Sequence, residues 1–177
     1  MISQRPSNII CSELCKITED NLEKNDLKCV PQSMYRERRK LYLAQLKNQH
    51  EFHNILHEIG VRTNREEDFV LCNDSESGII ILGCKANLHL LCLNSEEIFA
   101  DGTFKCCPKY FQQLYIIHGF KNGHYIPLVF CLLPSKSGHC YRKMFSLLNE
   151  CCVNSNVVLR FATIHLDFEE RMHTVVK

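Results

Sequence analysis

Two aspartates in the second half of the chain have the residue type and setting that metal chemistry needs. Asp101 follows the apolar residues Ile98-Phe99-Ala100, and Asp167 follows an apolar run that ends at Leu166. Each run predicts a buried strand, and an ionised carboxylate at the end of such a strand is costly unless a cation neutralises it. A divalent metal ion is the usual remedy where no arginine lies close in the sequence. The residues alone leave a second interpretation open, in which both acids face loops at strand ends and bind nothing.

The segment between the two acids predicts the strands and the helix that would position them. Two apolar strands flank a tight turn with the Asn-Gly pair that hairpins favour, and a helical face with apolar steps of three and four follows. A run rich in β-branched residues then leads to the second acid. The ranges are strands 113–120 and 125–133, a helix over 140–152, a strand over 157–166 and a helix that opens at Phe168. Together with the strand before Asp101, the order is strand-strand-strand-helix-strand.

This order, with an acid on the first and the fourth strand, resembles the ribonuclease H-like fold, an α/β fold with a mixed sheet. In that fold the fourth strand returns through a crossover, nearly always right-handed, to lie parallel beside the first. Residues 68–177 are also similar to the core of Mutator-like element (MULE) transposases, and to animal proteins that carry a MULE domain beside FLYWCH zinc fingers. The segments that carry the resemblance are Ala100-Asp101-Gly102-Thr103-Phe104-Lys105, Gln113-Leu114-Tyr115, Ile117-His118-Gly119, Pro127-Leu128-Val129, Leu132-Leu133-Pro134 and Asp167-Phe168-Glu169. The resemblance implies that Asp101 and Asp167, 66 positions apart (167 − 101), meet on adjoining strands.

The resemblance also implies a metal site. In MULE transposases three carboxylates hold two Mg²⁺ or Mn²⁺ ions that act on a phosphodiester of DNA, and Asp101 and Asp167 fall on the first two of these positions. The third is a glutamate on a later helix, whereas this sequence ends ten residues after Asp167 (177 − 167). Glu169 and Glu170 follow too closely to replace it. We therefore expect an incomplete metal site that binds Mg²⁺ or Mn²⁺ weakly and does not cleave DNA.

The function that the resemblance implies is that of a domesticated or fragmentary transposase-derived protein, nuclear and associated with DNA. Whether such a chain is an enzyme stays open. One alternative is an active metal-dependent DNA strand transferase or nuclease, if a C-terminal part is missing from this chain. Another is a non-catalytic protein-interaction module. No sequence feature indicates a small-molecule substrate or a particular oligomeric state.

The sequence before residue 68 divides into two parts. Residues 1–32 are polar and predict a loose segment, and residues 33–67 predict a helical segment with one long helix from Ser33 to Ile59, ended by Gly60. A hairpin over 68–84 and a short helix over 86–93 then begin the core domain, which spans 68–177. Four basic residues lie near the start of the long helix: Arg36, Arg38, Arg39 and Lys40. They predict either contacts with DNA phosphates or, more often for such runs, a solvated helix face.

Several histidines and cysteines have spacings that also occur in metal sites. They are His50, His53 and His57 on the long helix, Cys11 with Cys15, and the adjacent pairs Cys106-Cys107 and Cys151-Cys152. No cysteine or acid accompanies the three histidines at a fixed spacing, and the cysteines lack a histidine pair at zinc-finger spacing. We interpret them as polar helix positions and free thiols. The strand positions of His118 and His165 predict core histidines rather than catalysts.

Composition limits the class of protein. The chain has 177 residues, 45% of them hydrophobic, and a net charge of +1. These values fit one globular domain with an appendage and give no general attraction to nucleic acid or to a membrane. No apolar run is long enough to span a bilayer, and the N-terminus has no signal-peptide core. Twelve cysteines without a signal peptide predict reduced thiols in an intracellular protein.

Overall fold

The computed structural model describes residues 46–93, 97–103 and 107–166. Contacts between residues group Lys47–Lys177 into one compact unit, with the division after Leu46. The helices are α1 Gln49–Ile59, α2 Lys85–Leu93 and α3 Gly138–Asn154, and the strands are β1 Val70–Asp74, β2 Ile79–Leu82, β3 Glu97–Thr103, β4 Gln113–Lys121, β5 His124–Leu133 and β6 Thr163–Leu166. Among the helices described, none combines the length and the apolar character that crossing a membrane requires.

The six described strands form one mixed sheet in the order β1-β2-β5-β4-β3-β6. Neighbouring strands are antiparallel except β3 and β6, which run parallel. A parallel pair needs a crossover connection, and here the chain passes from β3 through β4, β5 and α3 to β6. The predicted mixed α/β class is therefore confirmed. The predicted return of the strand after the helix, parallel and next to the strand that bears Asp101, is confirmed as well.

A two-residue turn closes the β4–β5 hairpin. Asn122 and Gly123 have positive φ angles of 52° and 78°, as in the type I′ turn that the right-handed twist of paired strands favours. Asparagine tolerates positive φ better than most residues, and glycine has no Cβ to hinder it. The predicted hairpin is confirmed, and its strands begin and end within one residue of the predicted positions.

One extra residue in β5 forms a β-bulge. The β4–β5 partners on either side of it are Ile117 with Val129 and His118 with Pro127. Leu128 lies between these pairs and has no partner in β4. Leu128 and Val129 both belong to the main core and are 2% and 0% exposed. The bulge shifts the alternation of β5 by one residue, so Tyr125 lies on the face of the sheet opposite the side chain of Val129.

The main core lies between the sheet and the helices α2 and α3. Helix α3 begins after Ser137, whose hydroxyl accepts a hydrogen bond from the Cys140 amide at 3.2 Å, a common N-cap. Its buried residues recur at steps of three and four, which confirms the helix predicted over 140–152 and extends it to 138–154. The largest buried members of this core are Ile79, Ile81, Leu88, Leu91, Ile98, Tyr115, Ile117, Leu128, Leu133, Tyr141 and Met144.

Helix α1 packs on the other side of the sheet and covers only one end of it. Phe52 and Leu56 of α1 pack around Ile80 of β2 and Leu132 of β5, with Phe111 beside them. The rings of Phe52 and Phe111 meet edge to face with centroids 5.4 Å apart. We call this side of the sheet, opposite α2 and α3, the open face. Its part formed by β3, β6 and the turn end of the β4–β5 hairpin carries exposed aromatic side chains, which are described below.

Two predicted elements are wrong in extent. The helix predicted over Ser33–Ile59 does not continue through residues 46–48, because Asn48 is extended (φ −154°) and its side chain caps a helix that starts at Gln49. Gly60 ends α1 in the left-handed conformation, as predicted. The strand predicted over 157–166 is shorter and comprises Thr163–Leu166 alone, because the preceding residues carry the chain from the end of α3 back to the sheet.

Of the remaining predicted elements, some are confirmed and others lie outside the described residues. The hairpin over 68–84 and the helix over 86–93 are confirmed as β1 with β2 and as α2. The loose segment 1–32, the first part of the long helix and the helix opening at Phe168 lie outside the described residues. They stay predictions, as do the domain boundaries drawn at residues 33 and 68.

Candidate functional site

The parallel pairing of β3 with β6 brings together the residues that precede the two predicted acids. Ala100 of β3 lies opposite Leu166 of β6. Asp101 follows Ala100 within β3. Asp167 follows Leu166 in the sequence but lies outside the described residues. The structure thus describes the register of the two strands up to the residue before each acid.

Asp101 lies on the open face of the sheet. Ile98 and Ala100 are buried in the main core, at 1% and 4% exposure, so the alternation of β3 places Phe99 and Asp101 on the opposite side. Asp101 is exposed and lies opposite Ile116 of β4. Within the described residues no cation and no hydrogen-bond donor contacts its carboxylate.

His165 lies on the same face and is not a core residue. Its ring stacks on Phe99 with centroids 4.3 Å apart and ring planes within 8°. Its Nε2 atom is 3.6 Å from Glu97 Oε2, and the side chains of His165 and Glu97 are 47% and 57% exposed. The prediction of a core histidine is wrong for His165, because β6 is the outermost strand of the described sheet. His118, opposite Phe99 on β4, is half-buried rather than enclosed in the core.

Four aromatic rings next to Asp101 form a continuous patch on the open face. We call Phe99, Phe120, Tyr125 and His165 the aromatic patch. Tyr125 meets Phe99 edge to face with centroids 4.7 Å apart, and Phe120 lies 5.0 Å from Tyr125. Tyr125 and Phe120 are 60% and 41% exposed. Sequence reasoning missed this patch. Phe120 and Tyr125 flank the hairpin turn and pair across it, which was a readable signal, but their closeness to Phe99 depends on the sheet order and on the β5 bulge.

The three histidines of α1 do not share a site. His53 is buried, its Nδ1 atom donates to the Asn73 side-chain oxygen, and the Asn73 amide donates to the His53 carbonyl oxygen at 2.8 Å. His50 and His57 are exposed, so His53 is turned away from any ion that they would bind. Across residues 46–93, 97–103 and 107–166, no group of three or more His, Cys, Asp or Glu side chains is arranged to hold a metal ion.

The cysteines in the described part of the chain are all free, as interpreted from the sequence. Cys92 of α2 and Cys152 of α3 lie with their Sγ atoms 3.9 Å apart. Burial raises the pKa of the Cys152 thiol to about 12. A hydrogen bond from Cys151 lowers the pKa of the Cys72 thiol. The Cys92–Cys152 contact lies between α2 and α3, and the Cys72–Cys151 contact lies between β1 and α3. These thiols therefore contribute to the packing of the main core.

Several of the predicted site residues lie outside the described residues. They are Asp167, the basic run Arg36, Arg38, Arg39 and Lys40, and the cysteines Cys11, Cys15 and Cys106. A metal-binding or DNA-binding role for any of them stays a prediction. Asp101 is the predicted metal ligand whose surroundings the structure describes.

No family model, no curated protein and no solved structure matches the chain. The candidate site is therefore defined by geometry. Its elements are the parallel strands β3 and β6, the exposed Asp101 carboxylate and the aromatic patch beside it.

Proposed function

We propose that the chain is a ribonuclease H-like domain of MULE-transposase ancestry that associates with DNA and uses Asp101 together with Asp167 to hold Mg²⁺ or Mn²⁺ against a phosphodiester. One observation carries the proposal: Ala100 lies opposite Leu166 in a parallel strand pair. Each of these two residues immediately precedes one of the acids in the sequence.

The strand order supports the ribonuclease H-like assignment. In β5-β4-β3-β6, an antiparallel meander of three strands is followed by α3 and by a strand parallel to the first strand of the meander. This is the order that the resemblance implied. The β1–β2 hairpin adds two strands beyond β5, on the far side of the sheet from the acids, and leaves the β3–β6 pair unaltered.

The register supports a shared site for the two acids. On this proposal the pairing continues by one residue beyond Ala100 and Leu166, so that the acids lie side by side on strands about 4.8 Å apart. Two carboxylates at that separation can share one ion, because metal–oxygen distances for these ions are about 2.0–2.6 Å. Alternation agrees with a common face, since Phe99 and His165, two positions before each acid, stack on the open face.

The surroundings of Asp101 fit a hard divalent ion. Carboxylate oxygens are the ligands that Mg²⁺ and Mn²⁺ prefer, and no described cation competes for the exposed carboxylate. A bound ion would supply a Lewis acid that polarises the phosphodiester. Asp101 contributes the negative charge and fixes the position of the ion at the end of a strand. Gly102, which has no Cβ, leaves room for the substrate backbone to approach.

Metal binding by the full chain tests the proposal. We expect the Asp101→Asn substitution to weaken Mn²⁺ binding at least roughly tenfold, because even changes to groups that only hydrogen-bond a metal ligand typically cost 10–100-fold. Electron paramagnetic resonance of free Mn²⁺ measures the binding. Asp68→Asn is the matched control, since Asp68 is an exposed acid that pairs with Arg62 and should leave Mn²⁺ binding unchanged. Asp167→Asn should reproduce the loss seen with Asp101→Asn.

DNA association and cleavage are measured with the same proteins. We expect the 177-residue chain to bind plasmid DNA in the presence of Mn²⁺ and not to cleave it. Equal Mn²⁺ binding by the wild type and by Asp101→Asn would contradict the shared metal site. Robust plasmid cleavage that Asp101→Asn abolishes would favour the alternative of an active strand transferase or nuclease over an inactive derivative.

A further inference from the structure

The aromatic patch lies directly beside Asp101 on the open face. Phe99 and Asp101 are two residues apart on β3, which places their Cα atoms about 6.8 Å apart along the strand. Tyr125 and Phe120 extend the patch from Phe99 towards the turn of the β4–β5 hairpin, and His165 extends it across to β6. Phe99 is thus the ring nearest to Asp101 along the strand, and Phe120 lies further from Asp101, beyond the Ile98–Gly119 pair. A nucleic-acid strand that runs from Asp101 along β3 towards the hairpin turn would pass over these rings in succession.

The fold builds this patch rather than leaving scattered apolar residues on the surface. Without the bulge at Leu128, the alternation of β5 would turn Tyr125 towards the main core. Helix α1 packs over Ile80 and Leu132 at the other end of the open face. The remaining large apolar side chains that are exposed in the described residues are aliphatic and lie outside the patch: Ile59, Leu93, Val153 and Val158. Among the described residues, the large aromatic side chains that are exposed, Phe120 and Tyr125, thus both belong to the aromatic patch.

The geometry of the rings suits planar heterocycles. His165 lies flat on Phe99, within 8° of parallel and at 4.3 Å, so the patch already holds one heterocycle in a face-to-face stack. One face of the His165 ring is against Phe99, and 47% of the side chain remains exposed. Glu97, with its Oε2 atom 3.6 Å from His165 Nε2, helps to hold the ring in this orientation. Nucleobases stack on such rings whatever their sequence, because every base has a π-face.

We infer that the aromatic patch stacks the unpaired bases of a DNA strand whose backbone passes Asp101. This inference rests on the proposed function and adds its substrate class: single-stranded or locally unpaired DNA, in place of an intact duplex. The bases of a duplex are buried in their own stack and reach a protein surface only when they are unpaired and turned out. The stacking rings, Tyr125 and His165 in particular, position the strand, and Asp101 meets the phosphate through the metal ion.

Binding of oligonucleotides by the full chain in EDTA tests the inference apart from the metal site. The probe is a fluorescein-labelled oligothymidylate, and fluorescence anisotropy measures its affinity. We expect the oligothymidylate to bind more tightly than an abasic oligomer with the same backbone, and more tightly than duplex DNA of the same length. Tyr125→Ala should weaken oligothymidylate binding roughly 5- to 150-fold, the range for loss of one stacked base.

Three further variants separate stacking from other kinds of contact. Tyr125→Phe keeps the ring and should bind like the wild type, whereas Tyr125→Leu keeps apolar area without a π-face and should bind like Tyr125→Ala. Val153→Ala is the control, because Val153 is also 60% exposed but lies on α3, away from the open face. Phe120→Ala repeats the test at a second, less exposed ring in case Tyr125→Ala does not fold.

The outcomes of the test are distinct. Equal affinity for the abasic oligomer, or equal binding by Tyr125→Leu and Tyr125→Phe, would overturn base stacking and indicate a backbone contact or a general apolar docking surface. Wild-type protein that binds Mn²⁺ but shows no effect of Tyr125→Ala or Phe120→Ala refutes this inference and leaves the proposed function standing. Wild-type protein that does not bind Mn²⁺, but stacks the oligothymidylate as expected, refutes the metal site and supports the stacking surface.

Discussion

Replacing Asn87 with alanine should loosen the bulge that places Tyr125 on the open face. Asn87 lies in α2, and its side-chain amide donates a hydrogen bond to the Leu128 carbonyl oxygen at 2.9 Å. The Cys84 thiol in turn donates to Asn87 Oδ1 at 3.2 Å. Leu128 is the extra residue of β5 and has no partner in β4. The Asn87 side chain therefore satisfies the backbone carbonyl of the bulge residue.

The expected size of the effect follows from two opposing contributions. Alanine is a better helix former than asparagine by up to about 0.7 kcal/mol, which favours the variant. A buried carbonyl group that loses its donor costs about 1–3 kcal/mol, and Leu128 is only 2% exposed. We therefore expect Asn87→Ala to lower the free energy of unfolding by about 0.3–3 kcal/mol.

Equilibrium unfolding in urea, followed by circular dichroism, measures this change. Asn149→Ala is the matched control, because Asn149 is exposed in α3 and gains the same helix propensity without losing a described hydrogen bond. The difference between the two variants gives the joint contribution of the two Asn87 hydrogen bonds, to Leu128 and from Cys84, and should be about 1–3 kcal/mol. If the two variants are equally stable, Asn87 does not support the bulge, and the reasoning is refuted.

Two further substitutions test neighbouring parts of the fold. Gly119→Ala should lower the free energy of unfolding by about 1–3 kcal/mol, because an added Cβ would lie 2.9 Å from Leu128 Cδ1; thermal unfolding measures it, and unchanged stability would contradict it. Ser77→Ala should lower the free energy of unfolding by about 1–3 kcal/mol at pH 7. The Ser77 hydroxyl donates to Asp74 Oδ2 at 2.5 Å, and this hydrogen bond holds the pKa of the Asp74 carboxyl below its usual range. A lowered pKa stabilises the folded state above the unfolded pKa, so the difference should be full at pH 7 and should decline below about pH 4. Urea denaturation at each pH measures it.

Each of these two substitutions has its own control. In the double variant of Gly119→Ala with Leu128→Ala, the loss of stability should be smaller than the sum of the single losses, because the shortened side chain removes the contact. Ser75→Ala lies in the same turn and is exposed, and it should show no difference that depends on pH. A Ser77→Ala deficit that persists or grows in acid would contradict the role assigned to Asp74.

The parts of the fold that the sequence predicts well have local signals. The pair Asn122-Gly123 adopts the positive φ angles of a type I′ turn by its own backbone preference. Ser137 caps α3, and Gly60 ends α1. Each signal acts within a few residues, so the β4–β5 hairpin, α3 and the end of α1 lie where the sequence predicts them. The order of the elements predicted that β6 would lie parallel to β3, and the observed register agrees with this prediction.

The parts that the sequence does not predict depend on distant contacts. The bulge residue Leu128 accepts a hydrogen bond from Asn87, which belongs to a different element. His165 has the strand pattern of a core residue, but its strand lies at the edge of the described sheet, which exposes it. The position of Asp101 on the open face follows from alternation alone, whereas three of the four rings in the aromatic patch come from other strands. The sequence therefore predicts Asp101 as a candidate metal ligand, but it does not predict the aromatic patch.

The late position of β6 in the chain has a consequence for folding. Among the described strand pairs, β3 with β6 spans the greatest sequence distance, 66 positions from Ala100 to Leu166 (166 − 100), against 52 from Ile80 to Leu132 (132 − 80). The entropy cost of closing a loop grows with its length, and β6 has only four residues to offset it. The hairpins form from neighbouring residues, while β6 must wait for α3 to pack. We therefore expect the β3–β6 pairing that precedes Asp101 to form late during folding and to open early when the native state fluctuates.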